Sequence, residues 1–128
     1  MNSVTRSLET SAPPDAILSV LRDIRRLPDW APGFAERVME TNDGNWLVIK
    51  GERQFVVAVL VHEKSGTIDY VRELSSGRTG GAYFRVLPGP VAGSIIIATL
   101  PVPLGSTEVD AISIADSELE GLVRLVPK

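Results

Sequence analysis

Cysteine is absent from the 128-residue chain and histidine occurs once, which excludes disulfides, thiol nucleophiles, thiolate metal sites and two-histidine zinc motifs. Aromatic residues supply only 5%, too few for a platform on which single-stranded nucleic acid stacks. Positive charge is not in excess either. A net charge of −3 gives no long-range field to hold a phosphate backbone or an anionic membrane surface. No apolar run exceeds strand length, and "MNSVTRSLETSAPPD" at the N-terminus lacks the apolar core of a secretion signal. The expectation is a cytoplasmic protein without nucleic-acid partner or membrane insertion.

What is present suits a folded core. Hydrophobic residues make up 44% and charged residues 23%, which argues against disorder, and the length fits one domain over residues 1–128. "SVTRSLE" alternates Val4, Arg6 and Leu8 and reads as a first strand. "SAPPDAILSVLRDI" supplies helix-start chemistry and an apolar stripe of Ile17, Leu18 and Leu21, predicting a helix to about Ile24. Pro28 and Pro32 then forbid an undisturbed continuation, so "RRLPDWAPG" is a second short helix or a tight loop.

Strand-like runs follow, "FAERVMET", "NWLVIKG", "ERQFVVAVLVHEK", "TIDYVREL", "GAYFRVL" and "SIIIATL", separated by turn signals such as "NDG", "SSGRTG" and "PGPVAG". That spacing predicts an antiparallel meander. "QFVVAVLVH" is apolar at both parities, which predicts cover on both faces. Past "PVPLG" the period changes: Val109, Ile112, Leu119, Leu122, Val123 and Val126 share a side of a helix from about Ser106 to Val126, with Gly121 costing roughly 1 kcal/mol relative to alanine.

The pieces "SAPPDAILSVLRDIRRLPDWAPGF", "TIDYVREL", "GAYFRVLPGPVAGSIIIATL" and the terminal helix together resemble the START-like superfamily of polyketide cyclases and lipid-transfer domains. The resemblance covers nearly the whole chain. It implies an α+β helix-grip fold: a curved antiparallel sheet of about seven strands around a long C-terminal helix, with two short helices after the first strand. It also implies a small apolar or amphipathic molecule bound in a cavity between sheet and helix, without cofactor or metal. The alternatives are a polyketide-type cyclase or dehydratase, and an interaction module that self-associates through its sheet as a homodimer.

Tyr70 and Arg72 share one strand face, as do Tyr83 and Arg85 on the next. On a concave face these four would form a polar patch, the arginines orienting a carboxylate or enolate and the tyrosines donating to an oxyanion. On a convex face the arginines would pair with Glu73 or Asp69 in water. Trp46 is a further candidate cavity residue, and Trp30 a packing anchor. His62, at the end of its strand, is the candidate general base or an exposed bystander. Asp23 and Asp29 suit hydrogen-bond acceptors at helix and turn ends, with Glu36 facing solvent. "SSGRTGG" opens no helix and reads as a hairpin turn.

Overall fold

Pro13 and Pro14 end the first strand and start the first helix of the computed structural model, which describes residues 2–73, 77–103 and 105–126. Strand β1 spans Ser3–Thr10 and helix α1 spans Pro14–Leu21. Pro14 occupies the first turn, where its missing N–H leaves no bond unmade. The helix stops at Leu21 rather than near Ile24. A 3-10 turn, Ile24–Arg26, takes over because the Asp23 carboxylate accepts the Arg25 N–H at 3.2 Å and draws the backbone out of the helix. The short helix α2, Leu27–Trp30, follows with Pro28 in its first turn.

The remaining strands are β2 (Arg37–Glu40), β3 (Trp46–Lys50), β4 (Arg53–His62), β5 (Thr67–Glu73), β6 (Thr79–Pro88) and β7 (Ser94–Pro101). They form one sheet in the order β1-β7-β6-β5-β4-β3-β2, every neighbouring pair antiparallel. The path from β1 to β2 therefore crosses from one edge of the sheet to the other by way of α1 and α2. The turn expected at "SSGRTGG" lies partly outside the described residues, at Leu74–Ser76.

Helix α3, Glu108–Leu125, returns across the sheet. Thr107 caps it: its hydroxyl accepts the Asp110 N–H at 3.1 Å while the Asp110 carboxylate accepts the Thr107 N–H. This is the expected helix-grip α+β architecture. The stripe that α3 buries is Ala111, Ala115, Leu119 and Leu122, and Val109, placed on the inner side by periodicity, is instead 74% exposed. Small residues rather than Val109 face the sheet because close approach needs them: Ala111 and Ala115 pack on Val4 and Leu100. Arg6 of β1 clamps Asp116 of α3 through two bonds, at 2.8 and 3.2 Å.

The helices cover one sheet face only. Ile68, Tyr70, Phe84, Val86, Ile96 and Ala98 are buried on that inner face, in one cluster with Leu119 and Leu122. The expectation that β4 is covered on both faces is wrong. Its outward residues Val56 and Leu60 are nearly half exposed, because no helix packs there. The pairing of β4 also changes along its length, Arg53–Val57 with β3 and Ala58–His62 with β5.

At Gly121 a β-carbon would stand 2.4 Å from the Trp30 carbonyl oxygen, so α3 touches the backbone of α2 directly. Gly121→Ala, despite its better helix propensity, is expected to lower stability by about 1–3 kcal/mol through that overlap. Trp30→Ala is expected to cost about 3–5 kcal/mol by opening a cavity in the core. Urea midpoints at constant m-value check both; a stabilised Gly121→Ala protein would refute the contact.

Candidate functional site

Register decides which candidate residues meet. Tyr70 lies opposite Ala82 and Arg72 opposite Gly80, whereas Tyr83 lies opposite Asp69 and Arg85 opposite Thr67. Tyr70 is buried on the inner face, so Arg72, two residues on, shares that face, and Tyr83 and Arg85 project from the outer one. The four-residue patch is therefore divided between two faces. His62 pairs with Thr67 and is likewise exposed on the outer face. There its charge opposes the burial that raises the pKa of the Asp69 carboxyl. Trp46 pairs with Val57, which is buried, and so belongs to the inner face with Tyr70 and Arg72.

Three rings fill the middle of the grip. Trp30 stands edge-on to Phe84 at 5.5 Å between centroids and tilted against Tyr70 at 6.1 Å, while Tyr70 and Phe84 meet at 5.8 Å. The Tyr70 hydroxyl donates to the Leu21 carbonyl at the end of α1. Burial, then the charges of Glu118 and Asp23, push its pKa up, so it stays a phenol.

Two polar atoms in this interior make no hydrogen bond to the described protein: Trp30 Nε1 and Glu118 Oε2. Trp30 is 2% exposed. Glu118 stands three residues after Ala115 and four before Leu122, which places it on the buried stripe of α3. Burial pushes its carboxyl up to about 7 from 4.5, so that it exchanges its proton near neutrality. Sequence reading overlooked this residue. Its signal was an acid in phase with Ala115, Leu119 and Leu122, hidden when the stripe was drawn through Val109.

Further along the same face the pairing of β4 with β5 stops at Ala58–Val71, so Arg72 lies where the two strands part. Its guanidinium sits over the Phe55 ring, 4.5 Å from the centroid, and Phe34 packs against Phe55 at 5.1 Å. Among the described residues Arg72 makes no ion pair. Arg25 covers Trp46 at 4.7 Å and reaches Glu40 at 3.8 Å. Two arginines thus each cover an aromatic ring on this part of the sheet.

Two shallow depressions lie elsewhere. One, of about 360 Å³, is lined by Asp15, Leu18 and the ion pair Arg22–Glu63; the other, of about 220 Å³, by Arg6, Leu8, Asp116 and Glu120 among others. Among the described residues no group of three or more acidic or histidine side chains is placed to hold a metal ion, and no helix is long and apolar enough to cross a membrane.

The architecture is that of START-like proteins and polyketide aromatase/cyclases. Protein XoxI of Bacillus cereus superposes with a TM-score of 0.74 at 17% identity, covering 98% of this chain and 96% of that one. A START superfamily protein of Mycobacterium smegmatis gives 0.64 at 20% identity over 95% of this chain and 92% of its own. The Zhui aromatase/cyclase of Streptomyces sp. R1128 gives 0.66 at 13% identity over 97% and 92%. No family model and no curated protein sequence matches the chain.

Glu118 makes stability depend on pH with a defined sign. Between pH 4.5 and about 7 the folded protein keeps the Glu118 proton that the unfolded chain has lost, so stability falls as pH rises through that window and levels off above it. The full effect is on the order of 3 kcal/mol. Urea melts across this range are expected to show the fall in the wild type and a shallower one in Glu118→Gln. Superimposable profiles would refute it.

Proposed function

We propose that the protein binds a small amphipathic molecule, its apolar part between the sheet and α3 and its anionic end at Arg72. The observation that carries this reading is Arg72 itself: a guanidinium on the inner face, at the parting of β4 and β5, held over Phe55 and without an acid partner among the described residues. A cation so placed gains a charge-assisted bond from an incoming carboxylate and gives up no existing ion pair. Because the chain is net negative, the attraction is local to Arg72. Trp46 and Phe34 supply apolar walls beside it, and the likeness to START folds supports a small-molecule guest.

The cyclase alternative draws support from the likeness to an aromatase/cyclase fold, yet the interior holds only Tyr70 and Arg72 of its proposed residues. His62, Tyr83 and Arg85 stand across the sheet, where no guest of the grip reaches them.

Titration with dodecanoate, dodecanol and dodecylamine, followed by the fluorescence of Trp30 and Trp46, tests the reading. Dodecanoate is expected to bind tightest, and Arg72→Gln to weaken it roughly tenfold, the size of one bond to a charged group. Arg85→Gln, on the outer face, is expected to leave it unchanged. Equal affinity for all three probes, or equal loss in both variants, would refute the proposal.

A further inference from the structure

The outer face of the sheet is not uniformly polar. Val56, Ala58 and Leu60 alternate along β4 on that side, and the pairing extends the stripe sideways: Ala58 lies opposite Val71, and Leu60 opposite Asp69, which in turn lies opposite Tyr83. Val56 and Leu60 are 47% and 46% exposed and Tyr83 is 37% exposed. On the β1 side the same face turns polar, with Thr5, Ser7 and Glu9 exposed. An apolar centre with a polar rim is the anatomy of a surface that another protein covers. Two charges in the middle of the stripe decide which protein. Asp69 lies opposite Tyr83 and Arg85 stands two residues on from Tyr83, so carboxylate and guanidinium are diagonal neighbours, their side chains rooted roughly 7–8 Å apart. Neither makes an ion pair among the described residues. A patch of one sign would repel its own copy, whereas opposite charges side by side complement it.

We infer that the outer sheet face docks a second copy of this chain, in a two-fold dimer that sets Asp69 of each copy against Arg85 of the other. A two-fold axis lying between the two sheets and passing midway between these residues exchanges them, so a single docking supplies both ion pairs. With ordinary strand spacing and rise, the same axis lays Leu60 and Val71 of one copy over β6 and β7 of the other, where Leu87, Ile95 and Ile97 share the outer face. Apolar groups then meet apolar groups around a charged centre. The inference goes beyond the binding reading and does not depend on it, since Arg72 and the helices lie on the other side of the sheet.

Sedimentation equilibrium of the full chain over a range of concentrations tests the dimer, with circular dichroism to show that each variant is folded. The wild type is expected to dimerise, and Asp69→Arg and Arg85→Asp each to raise the dimer Kd at least about tenfold, because each sets like charges against one another twice. The double variant Asp69→Arg/Arg85→Asp exchanges the two charges and is expected to recover the wild-type Kd. Leu60→Lys is expected to weaken the dimer, whereas Val109→Lys, at an exposed apolar position on α3, leaves it unchanged. A wild type that stays monomeric up to roughly 1 mM, which would leave the face to a different protein, overturns the inference. So does a double variant that associates no more tightly than the single ones, or equal loss in Leu60→Lys and Val109→Lys.

Discussion

The interior of this protein depends on the missing side chain at Gly121. With only a hydrogen there, α3 lies on the carbonyl of Trp30 and presses the indole between α2 and the sheet. The ring then meets Tyr70 and Phe84 on the two central strands, and the Tyr70 hydroxyl reaches back to the last carbonyl of α1. One close approach thus ties all three helices to the middle of the sheet. The glycine weakens its own helix by about 1 kcal/mol, whereas burying a tryptophan contributes several. The trade explains how a break in helix propensity sits in the best-packed part of the molecule.

The same contact directs Glu118. Its position one turn before Gly121 sets it beside the stripe of α3 that packs on the sheet, and burial there raises its pKa. A carboxyl on the opposite side of α3, such as Glu120, is exposed and has no such role. Outside the grip, His62 and Arg85 lie exposed on a sheet face that no helix covers, where charges stay hydrated and cost little. Chemistry is thereby separated by the sheet into a dry face with few polar groups and a wet face with many.

Architecture was legible in the sequence because turn residues and hydrophobic period report local structure: each strand, the start of α3 near Ser106 and the proline-bounded helices all follow from neighbours in the chain. The site was legible only in part. Parity within a strand correctly grouped Tyr70 with Arg72 and Tyr83 with Arg85, but joining the two pairs needed the register between β5 and β6. In the observed register even-numbered residues face even-numbered ones, and a hairpin one residue longer or shorter would have brought all four to one face. The likeness of "QFVVAVLVH" to a doubly covered strand misled for a related reason: composition reports how apolar a strand is, while only the path of α1 and α3 reports which side they cover.

The proposed binding has to be weighed against a grip filled by side chains. On that proposal a guest would have to loosen ring contacts among Trp30, Tyr70 and Phe84, each worth about 0.5–1.5 kcal/mol beyond burial. A hydrocarbon would replace those contacts with similar ones and gain nothing net. An anionic end that meets Arg72 would add a charge-assisted bond of about 1.5–3 kcal/mol, enough to tip the exchange. Selection in such an interior falls to the polar groups rather than to the volume, because its apolar side chains already pack against one another.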